Sequence, residues 1–182
     1  VQVTLGGRWM KVLIISADGF EDSELLYPYY RMLEEGHQVT VASHRKGKIT
    51  GKHGYEVAAE MPFERVTAEE YDALIIPGGR APESVRLSEA ALGIVRHFFE
   101  ARKPVASICH GLQVLISAGV VKGRKAPCWK GVRDDLKAAG ALVVPVGLDD
   151  VVTAHADLYD AVEAKEAEHG DYLELNDAVA AA

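Results

Sequence analysis

The stretch Val12-Leu13-Ile14-Ile15 is a continuous apolar run of strand length, and a helical pattern over residues 23–36 follows it. Ala73-Leu74-Ile75-Ile76 is a second run of the same kind. Strands of a parallel sheet are covered by helices on both faces, so their apolar residues are consecutive and do not alternate with polar ones. Further strand-like and helix-like segments alternate at residues 38–42, 88–101, 104–108 and 110–119. This order predicts an α/β protein with a doubly wound, mostly parallel sheet sandwiched by helices.

Length and composition are those of one ordinary globular domain. The chain has 182 residues, of which 48% are hydrophobic and 26% charged. Disordered, collagenous and coiled-coil proteins have different compositions. We expect an α/β domain over residues 10–170, preceded by an extension at residues 1–9 and followed by a tail at residues 171–182. The glycines Gly51 and Gly54 predict a small β-hairpin as an excursion from the sheet between residues 49 and 58.

The charge balance and the two cysteines limit the partners and the compartment. With 20 Lys and Arg against 27 Asp and Glu, the net charge of −7 repels phosphate backbones and anionic lipids. No apolar run approaches the roughly 20 residues of a membrane span. Cys109 and Cys128 cannot form a disulfide framework and fit no zinc spacing. We therefore expect no nucleic-acid or membrane partner and a reducing, cytoplasmic location.

The segment Ser107-Ile108-Cys109-His110-Gly111 carries the strongest chemical signal. A strand pattern runs into a nucleophilic residue with small residues two positions before and after it, and a helix pattern follows. This is the arrangement of a nucleophile elbow, in which a sharp turn exposes the reactive atom above the sheet. The helix N-terminus is expected to lower the pKa of the Cys109 thiol. The alternative is a buried structural cysteine, the commoner state of a lone cysteine in a cytosolic protein.

Two other loops at the carboxyl ends of predicted strands are expected to converge on Cys109. One is the acidic segment at residues 18–24, and the other contains Gly78 and Gly79. The amides of Gly79 and His110 are candidates for an oxyanion hole. A glycine pair equally often forms only a tight turn, and the carboxylates equally suit the N-terminus of a helix.

The chain resembles the PfpI family, the intracellular cysteine peptidase and deglycase-like branch of the class I glutamine amidotransferase-like superfamily. The resemblance runs from residue 10 to about residue 144 and implies a flavodoxin-like sandwich. The matching stretches are Phe20-Glu21-Asp22 with Glu24-Leu25, Tyr27-Pro28-Tyr29, residues 47–54, residues 76–83, residues 106–111 and Gly123-Arg124-Lys125. Trp129 stands where family members commonly have a tyrosine, and Cys128 beside it is an unusual second thiol.

The resemblance implies a role for each candidate site residue. Cys109 matches the nucleophile, and His110 matches the histidine that follows it. Glu21 matches a glutamate that reaches the sulfur, and we expect it to be protonated and to donate to the thiolate. Glu83 matches a glutamate that approaches the histidine from a neighbouring subunit, which implies a homo-oligomer, either a dimer or a hexamer.

The expected activity is that of a cysteine hydrolase acting on small carbonyl compounds or peptides. Attack on an amide gives a peptidase or amidase, and attack on a 2-oxoaldehyde or its adduct gives a glyoxalase or deglycase. Neighbouring side chains of a helix diverge, so an adjacent Cys-His pair is an awkward proton relay unless the elbow brings the two together. The rival hypothesis is a stress-related redox sensor or chaperone-like protein that uses an oxidisable Cys109.

No cofactor or metal is expected. The loop after the first predicted strand lacks the glycine pattern of a dinucleotide site. Glu166 and His169 form only an i,i+3 pair, which is more typical of a solvated helix face than of a metal site.

Overall fold

The computed structural model describes residues 9–144. The strands are β1 (Lys11–Ile15), β2 (Gln38–Ser43), β3 (Gly47–Thr50), β4 (Glu56–Ala59), β5 (Met61–Pro62), β6 (Ala73–Ile76), β7 (Val105–Ser107), β8 (Lys125–Pro127) and β9 (Leu142–Val144). The helices are α1 (Asp22–Glu34), α2 (Ala81–Val85), α3 (Glu89–Glu100), α4 (Leu112–Ala118) and α5 (Arg133–Ala138). Residues 1–8 of the predicted extension, the predicted domain end at residue 170 and the tail lie outside the described residues.

The central sheet is parallel and doubly wound, as the sequence predicts. Its order is β5-β2-β1-β6-β7, and every pairing in it is parallel. The chain winds outward from β1 through β2 to β5, then returns to the other side of β1 and continues from β6 to β7. Strand order therefore reverses between β1 and β6, and open α/β sheets bind their ligands at the carboxyl ends of the strands beside such a reversal.

The two continuous apolar runs form the middle of the core. Val12, Leu13, Ile14 and Ile15 of β1 are fully buried, and Leu74 to Ile76 of β6 are nearly so. Burial of one such side chain stabilises the fold by roughly 1.5–3 kcal/mol, which fixes these strands at the centre of the sheet. Strands β8 and β9, which precede and follow α5 in the sequence, form a separate parallel pair outside the central sheet.

The predicted hairpin is formed by β3 and β4, which pair antiparallel. Asp22, the first residue of α1, binds the tip of this hairpin. The buried carboxylate of Asp22 accepts hydrogen bonds from the amides of His53 at 2.8 Å and Tyr55 at 3.1 Å. A side chain at Gly51 would collide with this carboxylate. Desolvation raises the pKa of Asp22, but the backbone hydrogen bonds outweigh it and leave the pKa below its ordinary value.

Among residues 9–144, no helix is long and apolar enough to cross a membrane.

Replacing Asp22 by alanine is expected to lower the free energy of unfolding by about 2–3 kcal/mol, because two amides lose their acceptor. The folded-state pKa of Asp22 is depressed, so its contribution is complete above an aspartate's ordinary pKa of about 4 and is lost as the pH falls through the folded value. Urea unfolding of wild type and Asp22→Ala should therefore differ at neutral pH and converge in acid. Asp134→Ala, at a side chain that is 97% exposed, is the control. Equal stabilities of wild type and Asp22→Ala at pH 7 would contradict a stabilising role of the hydrogen bonds between Asp22 and the hairpin.

Candidate active site

Three chain segments meet at the carboxyl edge of the sheet beside the β1/β6 reversal. Cys109 follows β7, the pair Gly78-Gly79 follows β6, and Glu24 lies in the first turn of α1, which follows β1. The convergence predicted for these loops is thus present. β1, β6 and β7 are neighbours in the sheet, so a short turn after each strand is enough to bring the three segments together.

The backbone turns sharply at Cys109. Its φ is +52°, and within residues 9–144 Arg102 is the one other non-glycine residue with a positive φ. A 3-10 turn over Cys109–Gly111 then leads into α4. A left-handed non-glycine residue costs about 1–3 kcal/mol and persists only where the surroundings impose it. The sharp turn that the sequence predicts at the nucleophile is therefore confirmed.

Gly111 makes this turn possible because it lets the backbone of the turn approach the strand ends closely. A Cβ atom at Gly111 would collide with the carbonyl oxygen of Ile76 and lie 2.8 Å from Ser107 Oγ. The backbone of the turn can thus lie directly against the ends of β6 and β7. This is the physical reason for the small residue two positions after the nucleophile.

The turn also brings the adjacent cysteine and histidine together. Sγ of Cys109 lies 3.3 Å from Nδ1 of His110. In a regular helix the two side chains would point about 100° apart, because successive residues rotate by that angle. The left-handed backbone at Cys109 removes this obstacle, and the imidazole is in position to take the thiol proton.

The carboxylate beside the sulfur differs from the one predicted. The Glu24 carboxylate lies beside Cys109 and raises the pKa of its thiol, and its Oε2 accepts a hydrogen bond from the Gly78 amide at 2.8 Å. The predicted residue, Glu21, instead pairs with Lys52 Nζ and with His53 Nε2, each at 3.2 Å. Glu21 and Glu24 are three residues apart at the start of α1, so periodicity alone could not distinguish them.

Gly78 is what allows Glu24 and Cys109 to meet. A Cβ atom on Gly78 would collide with the Glu24 carboxylate and lie 2.9 Å from Cys109 Cβ. The loop after β6 therefore passes between the two groups with only its backbone. The position of Glu24 within the first turn of α1, facing this glycine, is the signal that separates it from Glu21.

The electrostatics of the thiol are opposite to the prediction from the helix end. Burial raises the pKa of Cys109, and the charge of Glu24 raises it further, against a smaller lowering by the His110 amide. Burial also raises the pKa of Glu24. The negative carboxylate and the desolvation outweigh a helix dipole that acts only over its first turn. The thiol therefore holds its proton until a base removes it.

Of the two predicted oxyanion donors, one has a free amide and the other faces the sulfur. Gly79 has φ +79° and lies in a bridge with Phe20 that uses its neighbours, Gly78 O and Arg80 N. Within the described part of the chain, the Gly79 amide donates to no acceptor. The His110 amide lies next to the sulfur and lowers the pKa of the Cys109 thiol.

Glu83 does not reach the imidazole of its own chain. It is exposed in the first turn of α2. Across residues 9–144, its carboxylate makes no hydrogen bond or ion pair with His110. The position predicted for Glu83, next to the histidine, is not reached within one subunit.

One cluster near the site has the composition of a cation site. The ligand atoms of Glu21, Asp22 and His53 lie within 4.8 Å of one another. The Asp22 oxygens are already occupied by hairpin amides, and the Lys52 ammonium lies on Glu21. These contacts account for the cluster as the attachment of the β3–β4 hairpin to α1.

The chain can now be compared with known proteins. Residues 10–167 match the model of the DJ-1/PfpI family. The chain belongs to the DJ-1/PfpI family. It is 63% identical over 132 residues to a deglycase of Thermococcus kodakarensis, covering 72% of this chain and 80% of that one. It is 59% identical over 131 residues to the deglycase PfpI of Pyrococcus furiosus, covering 72% and 79%.

The fold agrees with a solved structure of the family. The crystal structure of DJ-1beta from Drosophila melanogaster superimposes with a TM-score of 0.73 at 20% identity, covering 95% of this chain and 96% of that one. This agreement confirms the predicted flavodoxin-like sandwich. The relatives named above confirm the predicted type of protein, a PfpI-type enzyme of the cysteine hydrolase and deglycase class.

Replacing Glu24 by glutamine is expected to shift the pH dependence of Cys109 alkylation by iodoacetamide to lower pH. Glutamine keeps a carbonyl oxygen for the Gly78 amide but removes the negative charge that raises the thiol pKa. Glu21→Gln is the matched control, because Glu21 is the weakest of the groups that raise this pKa. A larger shift in Glu21→Gln than in Glu24→Gln would contradict the assignment of Glu24 to the sulfur.

Proposed function

We propose that Cys109 attacks the aldehyde carbon of a 2-oxoaldehyde, or the same carbon of the adduct that such an aldehyde forms with an amine, in a glyoxalase or deglycase reaction. The observation that carries this proposal is the contact of one sulfur atom with both an imidazole and a carboxylate at the carboxyl edge of the sheet. The names of the relatives that are 63% and 59% identical support this choice over peptide hydrolysis.

The first step follows from the positions of the groups. His110 Nδ1 takes the proton from Cys109 Sγ as the sulfur forms a bond to the aldehyde carbon. The carbonyl π electrons move to oxygen, which the free Gly79 amide stabilises, and the proton returns from the imidazolium to that oxygen. The product is a hemithioacetal. Burial and the Glu24 charge keep the thiol protonated in the resting site, so His110 acts as a general base in this step.

The later steps need no external oxidant. A base removes the proton from the hemithioacetal carbon and returns it to the adjacent ketone carbon, while the hydroxyl proton moves from the first oxygen to the former ketone oxygen. The product of this isomerisation is the thioester of a 2-hydroxy acid. The Glu24 carboxylate is assigned this transfer, since it lies beside Cys109 and its raised pKa suits a group that both takes and gives a proton. Water then hydrolyses the thioester and frees the sulfur. The aldehyde and one water thus give a 2-hydroxy acid. From a carbinolamine adduct, the sulfur displaces the amine, which leaves with the thiol proton delivered by His110, and the same later steps follow.

Cys109→Ser is expected to abolish consumption of methylglyoxal and formation of the 2-hydroxy acid, with a loss of at least about 100-fold in kcat/KM. Cys128→Ser is the matched control, because Cys128 is buried and should be dispensable. A fluorogenic peptide assayed in parallel tests the peptidase alternative. Cys109-dependent cleavage of the peptide without methylglyoxal turnover would contradict the proposed reaction. Absence of both, with ready oxidation of Cys109 by peroxide, would favour the redox-sensor hypothesis.

We also propose a homo-oligomer, a dimer or a hexamer, in which Glu83 completes the site of a neighbouring subunit. The exposed carboxylate of Glu83 supports this arrangement, because it lies at the site-bearing edge of the fold without reaching its own His110. The two free cysteines support a reducing, cytoplasmic location.

Sedimentation should show an oligomer, and Glu83→Gln should lower the kcat of that oligomer. A monomer with full activity would remove Glu83 from the mechanism.

A further inference from the structure

Trp129 lies against the catalytic histidine although it is 19 positions away in sequence. The centroids of the Trp129 and His110 rings are 4.7 Å apart, with the ring planes tilted by 41°. Trp129 precedes the 3-10 turn over Lys130–Val132, and its carbonyl accepts the Val132 amide at 3.1 Å. This hydrogen-bonded turn therefore fixes the backbone from which the indole extends.

Gly131 fixes where the indole lies. A Cβ atom on Gly131 would overlap the six-membered ring of Trp129, so the ring rests on the glycine backbone. Gly131 has no positive φ, so an alanine there is sterically incompatible with the ring and not with the backbone. Trp129 is 46% exposed, so burial in the core does not by itself account for the position of the ring.

That group is the imidazole, which needs a constraint that its own backbone does not supply. Within residues 9–144, the hydrogen bond of the His110 side chain is its contact with Cys109 Sγ. A histidine with one such partner can rotate among three χ1 wells and two ring orientations. Only the orientation with Nδ1 on the sulfur can accept the thiol proton. Packing against a fixed aromatic ring restricts the alternatives.

We propose that Trp129 is a positioning residue that holds His110 in the rotamer whose Nδ1 faces Cys109 Sγ. This inference rests on the proposed function, since it assigns a role in the same proton transfer. In this proposal the Trp129 ring acts through its contact with the imidazole, and Gly131 supports the ring. Removing the indole would spread His110 over several rotamers and reduce the competent fraction.

Steady-state kinetics with methylglyoxal test the proposal. Trp129→Ala should lower kcat roughly 3- to 10-fold, as expected when one competent orientation becomes one of several, and leave KM within about twofold. Trp129→Phe should restore most of kcat, because a planar ring remains. Trp9→Ala is the matched control, because Trp9 is 60% exposed and precedes β1 at the opposite edge of the sheet.

Gly131→Ala provides a test that leaves the indole in the chain. The added methyl group must displace the ring, so this variant should reproduce the kcat loss of Trp129→Ala. The double variant Trp129→Ala with Gly131→Ala should be no slower than Trp129→Ala alone, because both changes remove the same contact. Additive losses in the double variant would overturn the support role of Gly131 and with it the proposal.

Fluorescence tests the ring contact independently of any activity. The chain has two tryptophans, so in Trp9→Phe the emission comes from Trp129 alone. An imidazole in contact with the indole covers part of the ring and protects it from a collisional quencher. Adding His110→Ala to Trp9→Phe should therefore increase the quenching of this emission by acrylamide.

The outcomes separate the positioning role from the proposed function. Equal acrylamide quenching of Trp9→Phe with and without His110→Ala would overturn the contact, even with full activity. An unchanged kcat in a folded Trp129→Ala would overturn the positioning role. If the KM of this variant is raised while kcat is unchanged, Trp129 binds substrate and does not position His110. If the wild type turns over no methylglyoxal while the quenching of the emission still depends on His110, the proposed function fails and the contact stands. The positioning role then fails together with the proposed function, because it is a role in that turnover.

Discussion

The left-handed backbone of Cys109 is the constraint on which the site depends. It costs free energy, and the chain holds it by bringing three strand ends so close that only glycine fits between them. Gly111 lies against Ile76 and Ser107, and Gly78 passes between Glu24 and Cys109. The same turn sets the sulfur above the sheet and directs it toward the imidazole of the next residue. Rigid neighbouring strands thus impose on a short turn a geometry that the turn would not adopt alone.

The charge state of the site follows from that crowding. A sulfur placed between backbone and a carboxylate is desolvated and repelled, so it retains its proton, and the carboxylate is affected in the same direction. A site with a permanently ionised thiolate would need no base. This one places a base in contact with the sulfur, and the orientation of that base becomes the critical variable. The packing of Trp129 on His110 is understandable in these terms.

The sequence predicts those parts of the structure that depend on local patterns. The consecutive apolar residues of β1 and β6, the glycines of the hairpin and the small residues around Cys109 each indicate their structure within a few positions. The features it misses depend on distant contacts. Glu24 is distinguished from Glu21 only by facing Gly78, 54 residues further along the chain. The direction of the thiol pKa depends on burial and on that same carboxylate, neither of which is visible from a helix N-terminus alone.

A crystal structure of the protein at a resolution that shows individual rotamers tests the geometry at Cys109 most directly. The account predicts a φ of Cys109 in the left-handed region, with Sγ within hydrogen-bond distance of His110 Nδ1 and of the Glu24 carboxyl group. A negative φ at Cys109, or a sulfur turned into the apolar core with the imidazole directed elsewhere, would contradict it.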